Sequence, residues 1–228
     1  MINSTNIVLL LVGYLLGSIP TAVWIGKFFY KIDVREYGSG NAGATNTFRV
    51  LGKKAGIPVL LIDVLKGFLA VNLAYFSPYT VGGTQFINLE LVLGIASLVG
   101  HIFPLFASFR GGKGIATLLG IVLGVHLYGA LICMAIFVVI LIISGYVSLG
   151  SMISAICFPV IVIFIFKTTV PSLIIFSILI AIMVLITHQK NIERLLRKEE
   201  SKAKLVKKKT KVETEELMDM EPLDTKSN

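Results

Sequence analysis

"GIATLLGIVLGVHLYGALICMAIFVVILIISGYV", residues 114–147, carries no acidic residue, lysine or arginine, and its only histidine is His126. An α-helix needs about 20 apolar residues to cross the hydrocarbon core of a bilayer. The stretch is too long for one crossing and short for two, so its count decides the fold. Its flanks supply the answer. Arg110 and Lys113 precede it, and a lysine-rich tail follows from His188 onward. Cytoplasmic segments of membrane proteins carry the excess of Lys and Arg. Both flanks are therefore expected inside, and the chain must cross an even number of times between them. Residues 149–166 and 171–187 account for two crossings. The stretch 114–147 must then cross twice, turning near Gly124–Gly129, through thin, tilted or kinked helices.

The same logic extends outward. Residues 4–29, 56–77 and 88–107 are further apolar spans. The segment 27–54 holds Lys27, Lys31, Arg35, Arg49, Lys53 and Lys54 and is expected inside, whereas 78–90 has no Lys or Arg and is expected outside. No basic region precedes the first apolar run, so residues 4–29 read as a retained span rather than a cleaved signal. The expected fold is all-α: a polytopic integral membrane protein of seven transmembrane helices, N-terminus outside and C-terminus cytoplasmic. Residues 1–200 form the membrane domain, and 201–228 form a charged, disordered cytoplasmic tail.

Composition agrees. Hydrophobic residues make up 55% of the 228 positions, and the mean hydropathy of +0.86 lies far above that of soluble domains. The apolar runs are nearly contiguous, unlike the short alternating segments of a barrel. The net charge of +8 is explained by cytoplasmic loops, not by nucleic acid. Cys133 and Cys157 fall in apolar segments and read as small core residues.

Four polar islands interrupt the apolar chain, all mapped to the cytoplasmic side. "GSIP", 17–20, lies within the first span, where Pro20 should kink the helix. "DVREYGSGNAGATNTFRVLGKK", 33–54, concentrates Gly, Asn, Ser and cations. Glycine lets backbone N–H groups approach an anion closely, Arg35, Arg49, Lys53 and Lys54 supply charge, and a short helix starting at Ala44 would turn its N-terminus to the anion. "GHIFPLFASFRGGKG", 100–114, repeats the theme, with Lys113 as a point charge at a helix start. It lacks the full spacing of a nucleotide-binding loop, so ATP is not implied. "HQKNIERLLRKEE", 188–200, places His188 and Asn191 on one helix face, while Glu193 and Arg197 have the spacing of a simple ion pair. Inside the second span, Asp63 and Lys66 are also three apart. They read either as a mutual ion pair that positions the helix or as a direct substrate contact. His101 is placed to cap or support the third island, and His126 lies on the outer side.

The three histidines lack metal-ligand spacing and no carboxylate cluster stands out, so no metal or other cofactor is expected. No Ser-His-Asp or Cys-His pattern points to a covalent intermediate. Two anion loops on one face, surrounded by lipid, suggest a reaction joining a phosphorylated polar compound to a lipid donor. A transporter for a phosphorylated solute is the alternative, but it would need polar residues at mid-membrane and an outward pathway.

"DVREYGSGNAGATNTFRVLGKKAG", "DVLKG", "GHIFPLFASFRGGKGIAT" and "HQKNIERLL" together resemble, in order and over about residues 10–200, the motifs of the bacterial acyl-phosphate:glycerol-3-phosphate acyltransferase family (PlsY). The resemblance implies a multi-pass enzyme of the bacterial cell membrane with its active site at the cytoplasmic face. It implies acyl transfer from acyl phosphate to the 1-hydroxyl of sn-glycerol 3-phosphate, giving lysophosphatidic acid and phosphate, the first step of phospholipid synthesis. It also implies that neither acyl-CoA nor acyl carrier protein is the direct donor. The implied partners are these two substrates and membrane lipids, with room for handover from an enzyme that makes acyl phosphate. Ser39, Asn41, Gly43 and Thr45 would donate hydrogen bonds to the donor headgroup, and Gly40 and Asn46 would also bind substrate. Arg49 and Lys113 would meet phosphate charge, with Gly111, Gly112 and Gly114 around the lysine. His188 and Asn191 would orient the glycerol hydroxyls, and Asp63, Lys66 and His101 would support the site. The base would be either His188 or, as the resemblance favours, a phosphate oxygen of the donor. After "NIERLL" the family usually has glycine followed two residues later by glutamate. Here Lys198 stands in place of the glycine, and Glu200 keeps the acidic position.

Overall fold

A computed structural model describes residues 4–203. The charged tail expected over 201–228 lies almost wholly outside the described residues. Among the described residues the chain forms ten α-helices, joined by short 3-10 and π turns. The first apolar stretch is broken into α1 (Ser4–Gly17) and α2 (Thr21–Tyr30), which meet at 42°. Pro20 sits at the break, where a missing N–H and a fixed φ stop helix propagation. A short α3 (Ala44–Leu51) leads through Gly52 into α4 (Lys53–Asn72), followed by α5 (Thr84–Ile102). The helix expected to begin at Ala44 is therefore present.

The stretch 114–147 divides at His126 into α6 (Ile115–Val125) and α7 (Leu127–Ser144). The His126 side chain accepts the Gly129 N–H and so caps α7. With only 11 residues, α6 is about 16 Å long at 1.5 Å per residue. It is shorter than an ordinary span and packs along α4, its most extensive partner. Then follow α8 (Val147–Val160), extended by a π turn, α9 (Pro171–Thr187) and α10 (Gln189–Leu196), with α9 and α10 bent by 59°.

The chain is an all-helical, multi-pass integral membrane protein. Among the described residues, four helical stretches are individually long and apolar enough to cross a bilayer, and up to six if each bent pair counts as one span. Large apolar side chains such as Phe28, Ile143 and Phe164 are exposed on its flanks. Lipid covers such surfaces, so the forces between helices must come from close packing rather than from water exclusion. Small residues allow this. A Cβ on Gly17 would collide with the Ser97 carbonyl, and one on Gly100 with that of Tyr14, which draws α1 and α5 together. Gly67 and Gly120 do the same for α4 and α6.

Candidate active site

The loop 38–46 is built around Asn46, which is fully buried. Its Nδ2 donates to the carbonyls of Val34 (2.8 Å) and Tyr37 (3.1 Å), and its Oδ1 accepts from the Ser39 N–H (2.8 Å) and hydroxyl (3.1 Å). Asn46 thus braces the loop from within. Ser39, Gly40 and Thr45 are exposed, and Asn41 is half-buried. Gly43 caps α3, with its carbonyl accepting from Thr47. Thr45 and Arg49 lie four apart on the exposed face of α3, so they share one side.

Arg35 departs from its expected role as a free cation. Its guanidinium makes a two-pronged contact with Asp33 and donates to the Ala107 and Arg110 carbonyls. The hydrogen bond from Arg35 is the chief cause that holds the Asp33 carboxyl well below the usual carboxylate range.

The second loop is seated on His101. Gly111 donates to the Ile102 carbonyl (3.1 Å) and Gly112 to that of His101 (3.2 Å). A Cβ on Gly112 would collide with the His101 ring and sit 3.0 Å from the Ala42 carbonyl oxygen. That position therefore needs glycine because both loops close onto it. Gly114 has a φ of +80° and opens α6.

Beneath the loop lies a buried polar cluster. Asp63 Oδ1 is 2.9 Å from Lys66 Nζ, 3.0 Å from Thr21 Oγ1 and 3.8 Å from His101 Nδ1. Lys66 also donates to the Ile19 carbonyl (2.9 Å), and Thr117 Oγ1 lies 3.1 Å from His101 Nδ1. Both members of the pair are 3% exposed or less. Of the two readings of Asp63 and Lys66, the mutual ion pair is the one present. It ties the break in the first span to α4 and to the support of the second loop.

The third island closes the site. The Lys113 ammonium donates to the Asn191 side-chain oxygen. Asn191 Nδ2 in turn donates to Glu200 Oε1 (2.6 Å), which also accepts from Ser148 Oγ (2.8 Å), while Glu200 Oε2 accepts from Arg194 Nε (2.9 Å). The His188 ring nitrogen Nδ1 lies 2.8 Å from the Val184 carbonyl. That contact fixes the ring and leaves Nε2 as its other polar atom. Burial above all pushes the Lys113 ammonium down to about 8, with Arg194 next, partly opposed by Glu200, and Arg49 adding to the depression. Lys113 thus lies within electrostatic reach of cations from two other islands, a setting that welcomes an anion.

Glu200, Arg194 and Ser148 form a carboxylate hub that the sequence alone did not assign. Glu193 and Arg197, spaced for an ion pair, form none among the described residues, and Arg194 pairs with Glu200 instead. Lys198 adopts a φ of +60°. Its N–H donates to the Leu195 carbonyl and that of Glu199 to the Arg194 carbonyl, a Schellman ending that normally favours glycine. The lysine thus takes a glycine's conformation, and the turn delivers Glu200 to Asn191.

A family model described as glycerol-3-phosphate acyltransferase matches residues 7–198. The chain belongs to the glycerol-3-phosphate acyltransferase family. A relative from Enterococcus faecalis bearing that name is 45% identical, over 89% of this chain and 97% of its own. One from Staphylococcus aureus is 44% identical over 87% and 98%, respectively. Two crystal structures of PlsY, an integral membrane glycerol 3-phosphate acyltransferase, share the fold. The glycerol 3-phosphate form has a TM-score of 0.78 and 36% identity, covering 88% of this chain and 96% of that one. The lysophosphatidic acid form has a TM-score of 0.75 and 35% identity, covering 87% and 95%.

Proposed function

We propose that the protein transfers a fatty acyl group from acyl phosphate to the 1-hydroxyl of sn-glycerol 3-phosphate at the cytoplasmic face of a bacterial cell membrane. The observation that carries this reading is the meeting of three polar islands at Lys113, which bonds Asn191 and lies near Arg49. Family membership supplies the substrates, and the related PlsY was crystallised in a glycerol 3-phosphate form and a lysophosphatidic acid form.

Acyl phosphate is a mixed anhydride, so no covalent nucleophile is required. The glycerol oxygen attacks the acyl carbonyl carbon, forming the new ester C–O bond. The acyl carbon–oxygen bond to phosphate breaks, and the hydroxyl proton passes to a phosphate oxygen of the donor. Ser39, Gly40, Asn41, Gly43 and Thr45 hold the donor headgroup, with Asn46 shaping their loop. Arg49 and Lys113 stabilise the charge that grows on the carbonyl oxygen and leaving phosphate. His188 and Asn191 orient the glycerol hydroxyls, which converts an encounter into a positioned reaction. Gly111, Gly112 and Gly114 let the loop around Lys113 lie flat on its support.

The topology that serves this reading has seven crossings: α1 with α2, then α4, α5, α6, α7, α8 and α9, with residues 1–200 as the membrane domain. The short α6 is the weakest of the seven by length, and its packing along α4 supports counting it. α10 then lies at the inner surface, and the N-terminus is outside.

Purified protein given acyl phosphate and glycerol 3-phosphate, without CoA, carrier protein or metal, should release phosphate only when the glycerol 3-phosphate is present. A folded sample with no such release contradicts the proposal.

A further inference from the structure

We infer that Arg35 is a positioning residue that holds the loop 38–46 and the loop 103–114 at a fixed separation. The inference rests on the reading that the first loop holds the donor headgroup and the second sets Lys113 against its reacting centre. Arg35 belongs to the first loop's base. Its Nε donates to Asp33 Oδ1 (2.9 Å) and its Nη2 to Asp33 Oδ2 (2.7 Å). Asp33 also accepts the Arg35 N–H (3.0 Å) and pairs with Lys27 (3.2 Å). The 3-10 turn that carries Arg35, Val34–Glu36, is gripped by Asn46 through the Val34 and Tyr37 carbonyls. Asn46 also holds Ser39. A continuous set of bonds therefore runs from the guanidinium to the exposed end of the first loop.

The fourth donor position faces the other loop. Nη1 donates to the carbonyls of Ala107 (2.9 Å) and Arg110 (3.2 Å). These two residues bracket Ser108 and Phe109, which have φ values of +54° and +57°. Two successive left-handed residues without glycine persist only where their surroundings fix them. The same guanidinium thus clamps the carbonyls on either side of the strained turn, immediately before Gly111, Gly112 and Lys113.

Such a clasp needs arginine. Two carbonyls and a two-pronged carboxylate contact fit a planar fork of N–H donors, and a lysine ammonium cannot reach them all. The Arg35 side chain is only 16% exposed, and its Nε, Nη1 and Nη2 are all engaged, so it is not a substrate ligand. Asp33 is held ionised chiefly by the Arg35 hydrogen bond, so the clasp stays closed over the working pH range.

The test uses the full chain in detergent, with wild type, Arg35→Lys and Arg35→Ala side by side. Misplacing reacting groups by about 1 Å costs roughly a hundredfold in rate. Arg35→Lys should therefore lower kcat at least about tenfold, while glycerol 3-phosphate binding stays within about threefold, because His188 and Asn191, which orient the glycerol, lie outside both loops. Added guanidinium should restore part of the Arg35→Ala turnover. The Gly111 and Gly112 amides should exchange hydrogen faster in Arg35→Lys than in wild type. An unchanged kcat, unchanged exchange at these amides, or loss of glycerol 3-phosphate binding in step with turnover overturns the clasp. Wild-type protein without glycerol 3-phosphate-dependent phosphate release would overturn the reading of function instead, and the exchange comparison would still decide the clasp.

Discussion

Glu200 lies with one carboxylate oxygen 2.6 Å from the Asn191 amide nitrogen, so a residue near the end of the fold holds the partner of Lys113. The same carboxylate gathers Ser148 from the start of α8 and Arg194 from α10. Replacing it removes three hydrogen bonds at once. Hydrogen bonds to a charged group contribute about 1.5–3 kcal/mol each. Glu200→Ala is expected to lower the thermal midpoint in detergent and to cut kcat/KM by more than about tenfold, whereas Ser148→Ala should have the smaller effect on both. Equal thermal midpoints for Glu200→Ala and wild type would rule out the hub.

The pH dependence follows from Lys113. Its ammonium is pushed down to about 8 by burial and neighbouring cations, so the free enzyme loses this charge as pH rises through that value. The pH profile of kcat/KM reports groups of the free enzyme. It should be level below pH about 8 and fall above it, tending to tenfold per pH unit. Arg stays protonated throughout this range, so any residual activity of Lys113→Arg should lack that alkaline limb. A limb unchanged in Lys113→Arg would show that another group titrates.

The Asp63–Lys66 pair makes a prediction of opposite character. Removing one member of a buried pair leaves an uncompensated charge and costs about 3–5 kcal/mol, while replacing both by apolar residues is often far milder. Asp63→Asn should therefore destabilise the protein strongly, and Asp63→Leu combined with Lys66→Met should recover much of the loss. Unfolding of the three proteins in one detergent measures this. A double variant less stable than Asp63→Asn would mean that the pair does more than hold helices.

Much of the candidate site was legible because its chemistry is local. The sequence shows 33–54, 100–114 and 188–200 as polar islands in an apolar chain, and the sidedness expected from Lys and Arg groups them before any contact is known. The kink at Pro20 and the helix from Ala44 follow from short-range rules as well. What was not legible depends on distant partners. Arg35 looked like a free cation because the carbonyls it serves lie 72 and 75 residues further along. Ser148 reaches Glu200 across 52 residues, with no motif to announce it. The span count was hardest where hydrophobicity is uniform. The glycines place the turn only to within Gly124–Gly129, and the break within that window is at His126, whose ring caps α7.

Lys198 offers a gain. It occupies the left-handed position of a Schellman ending, where a side chain costs about 1–2 kcal/mol relative to glycine. Lys198→Gly should raise stability by up to about 1 kcal/mol, with kcat within about twofold of wild type, since the turn that delivers Glu200 is retained. A loss of stability on this change would show that the lysine side chain contributes contacts of its own.

The central claim is that acyl transfer depends on the convergence at Lys113 of the three islands. The direct measurement is glycerol 3-phosphate-dependent phosphate release from acyl phosphate by purified Lys113→Ala, with its thermal unfolding recorded beside it. The expected result is turnover abolished in a protein that unfolds as cooperatively as wild type. Near-normal turnover in that folded variant would contradict the site as described.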